Sequence, residues 1–240
     1  MSLKLFGTIL FYFFALGVAG YAVFAYGFMP LGDLVHPDMK LNFLIHPIGI
    51  YAHVFASLVA LSLAPFQFSS RLRSARPRVH RVMGRGYLGI GVLVGGLAGL
   101  YMAIFAFGGV IAKLGFACLA VGWLYTGLRA YQAIRRGAVP EHRTWMIRNV
   151  SLTLAAVTLR IYLPSSMIAG IPFEVAYPAI AWLCWVPNLL AAEALFNRTG
   201  ARLAGRDGDR ARGRITTARG SATQRATPPT CWPTRRLRPG

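Results

Sequence analysis

The sequence predicts an all-α membrane protein, a bundle of about six transmembrane helices. Of its 240 residues, 55% are hydrophobic and only 14% are charged, whereas roughly a quarter of a soluble domain is charged. Its apolar stretches also reach the ~20 residues that a spanning helix needs. Because backbone groups in hydrocarbon must bond to one another, these stretches are expected to be helices and not open strands.

Residues 1–198 form the predicted transmembrane domain. The six expected spans cover approximately residues 5–29, 44–66, 86–108, 111–134, 147–169 and 175–197. Glycine and proline cluster between the spans or at their edges, as at Pro30 and Gly108. The first apolar run is longer than the ~7–15 residues of a signal-peptide core, so it is predicted to be a span.

Arginine placement predicts the orientation. The arginines of the second and fourth connections and adjoining helix starts are Arg71, Arg73, Arg76, Arg78, Arg81, Arg85, Arg135, Arg136, Arg143 and Arg148. The alternate connections carry only Lys40 and Lys113. Because short basic loops stay in the cytoplasm, we expect an N-in and C-in topology in the bacterial cytoplasmic (inner) membrane.

Residues 199–240 are predicted to be a basic, disordered cytoplasmic tail. The net charge of the chain is +19, and eleven arginines follow Asn197. Such a composition cannot bury a core, and basic charge beside a bilayer attracts anionic lipid head groups. No nucleic acid is expected as a partner, because Trp232 is the tail's lone aromatic residue and stacking platforms need several.

A glycine repeat in the third span predicts close helix packing. Gly91, Gly95 and Gly99 are four residues apart and share one helix face, which lets a neighbouring backbone approach. The neighbour is either another helix of this chain or a second copy in a homo-oligomer.

Two ionisable residues lie deep in predicted spans, where charge is costly. Arg160 is expected to face the interior of the bundle and to contact an anion, a carbonyl or water. It could reach Glu174 only if the Arg160 side chain stretches outward. The expected partner of Glu193 is Arg148. His53 lies at a depth close to that of Arg160 and is either a hydrogen-bonded core residue or a ligand.

Two His-Arg cassettes precede the third and fifth predicted spans at the same membrane face. His80 and His142 are candidate haem ligands, and Arg81 and Arg143 could neutralise haem propionates. The alternative is that these residues bind lipid phosphate. No nucleotide-binding, hydrolase or zinc-protease motif accompanies them, so the sequence indicates no reaction.

The ordered motifs resemble a known bacterial family. They are Ala64-Pro65-Phe66-Gln67-Phe68, Pro77-x-x-His80-Arg81-x-x-Gly84-Arg85-x-Tyr87, His142-Arg143-x-Trp145-Met146-Ile147-Arg148 and Arg160. The chain is similar over residues 45–195 to the predicted membrane proteins called domain of unknown function 2306. That resemblance implies a polytopic membrane fold and no established activity.

A looser architectural likeness is to two-haem transmembrane b-type cytochromes. Because the fourth predicted helix has no histidine, the residues allow one haem between His80 and His142, or a deeper haem at His53. The leading hypothesis is therefore a membrane redox component that binds haem b, with Arg81, Arg143 and Arg160 as anion partners. The alternatives are a non-catalytic protein that binds anionic lipid or a small anion, and a small-molecule carrier.

Overall fold

The computed structural model describes residues 3–197. Its six membrane-length apolar helices, called the first to sixth spans below, are Leu5–Gly27, Pro47–Gln67, Pro77–Ile104, Gly109–Arg135, Val139–Ile168 and Phe173–Leu195. Within the described range no residue forms a strand. The predicted all-α bundle of six spans is confirmed, while the predicted tail at residues 199–240 lies outside the described residues.

Two spans begin earlier than hydropathy predicts. The third begins at Pro77 and the fifth at Val139, against expected starts at about 86 and 147. Proline occupies the first turn of both helices, where its missing N–H is not needed. The His-Arg cassettes therefore form the first turns of the two spans instead of preceding them.

Three spans are irregular along their length. The third contains a π-helical section, Tyr87–Val94, between two α-helical sections. The fifth consists of the helices Val139–Thr153 and Ala155–Ile168. The sixth consists of Phe173–Leu183 and Val186–Ala192, followed by a π-helical turn. At such interruptions, backbone N–H and C=O groups leave the regular hydrogen-bond pattern of the α-helix. Interruptions of this kind are frequent at functional sites.

The glycine repeat packs against the second span of the same chain. A Cβ atom at Gly91 would lie 2.6 Å from Cβ of Ala60, and one at Gly95 would lie 3.1 Å from Oγ of Ser57. A Cβ atom at Gly99 would lie 2.7 Å from Nδ1 of His53. Of the two neighbours left open by the sequence, the structure shows the intramolecular one, so this face is already occupied.

A buried polar network joins the third, fourth and fifth spans. The Tyr87 hydroxyl donates to Oδ1 of Asn149 at 2.7 Å and contacts Oγ1 of Thr153 at 2.7 Å. Nε1 of Trp123 donates to the same threonine oxygen at 2.9 Å. Because Nδ2 of Asn149 donates to the Trp123 carbonyl at 2.8 Å, the polar groups satisfy one another inside the bundle.

The spans alternate in direction, which gives the bundle two ends. The arginine-rich end carries the connections at residues 68–76 and 136–138, and the arginine-poor end carries those at 28–46, 105–108 and 169–172. At the arginine-poor end a short helix, Pro37–Ile45, follows the first span. We call it the cap helix.

The cap helix is fixed to the connection after the third span and to the start of the sixth span. Nδ2 of Asn42 donates to the Phe105 carbonyl at 2.9 Å. At its two ends, the rings of His46 and His36 stack on Phe105 and Phe173, each with ring centres 3.7 Å apart. These contacts hold the helix across that end of the bundle.

Candidate functional site

A cavity of about 270 Å³ lies inside the bundle, toward the arginine-poor end. All six spans and the cap helix contribute to its wall, which is mostly apolar. Its polar lining residues include Tyr26, Asn42, His53, Ser57 and Arg160. Ligand sites commonly measure ~300–1,000 Å³, and an engineered cavity of ~150 Å³ holds benzene. The space therefore suits a compact molecule, such as a single ring with a small substituent.

His53 lines this cavity and has one ring nitrogen without a hydrogen-bond partner among the described residues. Its Nδ1 lies 2.9 Å from the carbonyl oxygen of Gly95, and because a carbonyl can only accept, Nδ1 carries the hydrogen. In the neutral ring Nε2 is then an acceptor. No residue in the described part of the chain donates to Nε2, so this lone pair is available to a ligand.

Arg160 brings a positive charge into the same cavity. Its Nη1 donates to the carbonyl of Ala156, one turn back, at 3.0 Å. The side chain thus points toward the middle of the fifth span and not toward the nearer end of the bundle, as helical side chains generally lean. Its Nε is buried without a hydrogen-bond partner, and its guanidinium lies 5.7 Å from the Tyr21 ring centre.

No carboxylate compensates the Arg160 charge among the residues that the structure describes. Glu174, a distant candidate from the sequence, is exposed and forms no ion pair with it. Glu193 instead pairs with Arg148 at 2.9 Å, which confirms that prediction. Since an unpaired charge in a bilayer is expensive, the cavity has the electrostatics of an anion site.

Ser57 adds a second unpartnered donor. It follows His53 by one helical turn and therefore shares its face. Its Oγ is buried and has no hydrogen-bond partner. The residues that line the cavity thus include two buried donors without a partner in the described chain, Oγ of Ser57 and Nε of Arg160, and one acceptor, Nε2 of His53. Ser57 was not among the site residues predicted from the sequence, although its four-residue spacing from His53 was a usable signal.

The two cassette histidines lie at the arginine-rich end, away from the cavity. Nδ1 of His142 donates to the Ala130 carbonyl at 2.8 Å, and Nδ1 of His80 is buried without a partner. The charged or ionisable groups near His80 include His142. The structure therefore brings these two histidines to one region, as their positions in the sequence suggested.

The six predicted site residues divide into two groups. His53 and Arg160 line the cavity, whereas the cassette residues occupy the other end of the bundle. Arg81 and Arg143 are both exposed at that end. Arg160 is thus positioned to neutralise a ligand of the cavity and not one bound between the cassettes.

A haem does not fit the cavity in its present dimensions. The volume of about 270 Å³ is below the ~300 Å³ at which sites for drug-sized ligands begin, and a haem is larger than most such ligands. In the described part of the chain, no three His, Cys, Asp or Glu side chains form a metal-binding group. The size of the cavity therefore disfavours haem ligation by His53.

Comparison with known families agrees with this architecture. The family model described as predicted membrane protein, DUF2306, matches residues 50–196. The chain belongs to this family. The match includes His53, His80, His142 and Arg160, and it excludes the first span and the cap helix. No curated protein and no solved structure matches the chain.

Proposed function

We propose that this DUF2306 protein binds a small organic monoanion inside the membrane, in the cavity near the arginine-poor end. The observation that carries the proposal is the Arg160 guanidinium, which faces the cavity and has no carboxylate partner among the described residues. One bound negative charge offsets the buried positive charge, whereas a dianion leaves an excess charge in hydrocarbon. The charge balance therefore favours a monoanion.

The remainder of the ligand is apolar and compact. Aliphatic and aromatic side chains form most of the wall, so a hydrocarbon body gains from leaving water. An aromatic monocarboxylate meets both requirements, because its ring fills the apolar space and its carboxylate accepts hydrogen bonds from Arg160. Benzoate is the simplest probe of this class.

The proposal is tested by measuring benzoate binding to the purified full-length protein in detergent. Benzamide has almost the same shape without the charge and serves as the ligand control. Arg160→Gln should weaken benzoate binding roughly tenfold or more, because it removes a charge-assisted hydrogen bond. Arg143→Gln, at the exposed arginine-rich end, is the matched variant and should bind benzoate like the parent. Equal binding of benzoate and benzamide would overturn the proposal.

A carrier is a second candidate, because two broken spans border the cavity. The fifth span is interrupted after Thr153 and the sixth after Leu183, and Thr153, Ala155 and Cys184 all line the cavity. Transporters commonly bind substrates beside such interrupted helices. Uptake of radiolabelled benzoate into proteoliposomes, compared with empty liposomes, tests this activity directly. Binding without uptake would leave a non-transporting receptor.

Haem b binding at the arginine-rich end is a third proposal. It is favoured by His142, whose Nδ1–H is held by a backbone carbonyl, as in many metal-ligating histidines. His80 would then be the second ligand, and the exposed Arg81 and Arg143 would neutralise the propionates. A Soret band that shifts on reduction and disappears in His80→Ala or His142→Ala would support this redox role. A colourless folded preparation from haem-replete cells would exclude it.

We also infer that the protein lies in the bacterial cytoplasmic membrane with both termini inside. The distribution of arginine between the two ends supports this orientation. The same arginines face the head-group region, where anionic lipids are their natural partners.

A further inference from the structure

The hydrogen-bonding pattern of the cavity contains more information than its charge. His53 supplies an acceptor, while Ser57 and Arg160 supply donors that lack partners. A plain carboxylate has only acceptor oxygens, so it can satisfy the two donors but not the Nε2 lone pair. A ligand that satisfies all three groups must also contain an O–H or N–H.

The orientation of the His53 ring makes this requirement strict. The Gly95 carbonyl holds the Nδ1 hydrogen at an N···O distance of 2.9 Å. Turning the ring over would place a C–H group against that carbonyl and forfeit the bond. Gly99 packs closely against the His53 ring, since a Cβ atom at Gly99 would lie 2.7 Å from Nδ1 and 2.8 Å from Cε1. The acceptor is thus held in place by the packing between the second and third spans.

If the ligand leaves Nε2 of His53 without a hydrogen bond, its affinity for the cavity is reduced. A buried polar group that loses its water without gaining a partner carries a desolvation cost. Sites built to hydrogen-bond a hydroxyl discriminate strongly against analogues that lack it, for this reason. The Nε2 atom of His53 therefore selects ligands that carry a hydrogen-bond donor, whereas Arg160 selects ligands that carry a negative charge.

We propose that the ligand is a hydroxyl-bearing monocarboxylate, whose hydroxyl donates to Nε2 of His53 while its carboxylate accepts from Arg160. This inference rests on the proposed anion-binding function and names the substrate class of the same cavity. Ser57, one turn from His53, donates to the carboxylate or to the hydroxyl oxygen.

The test compares benzoate, the three monohydroxybenzoates and their methoxy counterparts on the full-length protein in detergent. Because the ring position that meets His53 depends on the pose, all three isomers are included. At least one hydroxy isomer should bind roughly tenfold tighter than benzoate. Its methoxy counterpart, which cannot donate, should show no such gain.

Two histidine variants separate a specific contact from a general effect. His53→Phe should abolish the hydroxyl advantage while leaving Arg160-dependent benzoate binding measurable. His46→Phe, outside the cavity lining, should retain the advantage. If His53→Phe does not fold, the hydroxy and methoxy series on the parent protein still decides the question.

The possible failures are distinguishable. Arg160-dependent benzoate binding without any hydroxy gain would overturn the inference and leave the anion-binding function standing. A gain that survives in His53→Phe would overturn it as well. Absence of binding by every carboxylate in the series would overturn both.

Discussion

Arg148 and Glu193 form a two-point ion pair between the fifth and sixth spans. The Nε–Oε2 and Nη2–Oε1 distances are both 2.9 Å. The guanidinium also lies 4.5 Å from the ring centre of Trp145. The pair therefore fixes the last turns of the sixth span to the arginine-rich end of the bundle.

Glu193→Gln should lower the free energy of unfolding by about 1–2 kcal/mol. This value lies between the small effect of an exposed pair and the larger effect of a fully buried one, since both side chains are half-buried. Thermal or denaturant unfolding in detergent provides the measurement. Glu174→Gln is the matched control, because that exposed glutamate has no ion pair in the described chain. Equal effects of the two substitutions would contradict a specific role for the pair.

Gly99→Ala should displace the His53 ring and weaken carboxylate binding. The added methyl group would lie 2.7 Å from Nδ1, so the imidazole must move, and overpacking of this kind costs ~1–3 kcal/mol. Gly89→Ala is the control in the same span, because a Cβ atom there meets nothing within 4 Å. Binding and melting experiments on the two variants should differ clearly. Similar behaviour would mean that the close contact at Gly99 is unimportant.

Tyr87→Phe should lower stability by about 1–3 kcal/mol, because it leaves buried partners without a hydrogen bond. Asn149 and Tyr87 are both fully buried, at 0% exposure, so water cannot replace the lost hydroxyl. Tyr162→Phe is a suitable comparison, since that tyrosine is exposed and makes no hydrogen bond in the described structure. Its effect should stay within about 0.5 kcal/mol. Unfolding midpoints of the two variants, measured side by side, check the difference.

Membrane orientation can be measured by thiol labelling of intact cells in a Cys231→Ser background. Ala169→Cys, at the arginine-poor end, should react with a membrane-impermeant maleimide. Ser74→Cys and Arg135→Cys, at the arginine-rich end, should react only after the membrane is permeabilised. These outcomes follow from the retention of short basic connections in the cytoplasm. Labelling of Ser74→Cys in intact cells would reverse the proposed orientation.

The sequence was sufficient to predict the fold class and the number of spans, because span length is imposed by the bilayer. It misplaced the starts of the third and fifth spans for a physical reason. Hydropathy falls at the arginines after Pro77 and Val139, but arginine is a good helix former and the helices continue through it. The pairing of Arg148 with Glu193 was also predictable, since both lie at the same end of adjacent spans.

The details of the cavity could not be predicted from one-dimensional patterns. Counting residues along the predicted spans placed His53 and Arg160 at a similar depth in the bundle, but it did not indicate that both residues line one cavity. The Gly95 carbonyl that fixes the His53 tautomer belongs to another span, and such a contact depends on helix rotation. The cap helix is short and only moderately apolar, so a search for long hydrophobic stretches passes over it.

The close approach of the second and third spans along Gly91, Gly95 and Gly99 has a mechanical consequence. Helices in contact at backbone distance cannot slide or separate without losing many atomic contacts at once. We therefore expect these two spans to move as one rigid wall, with the His53 ring fixed between them. We expect any widening of the cavity to come from the other spans that line it, such as the interrupted fifth and sixth.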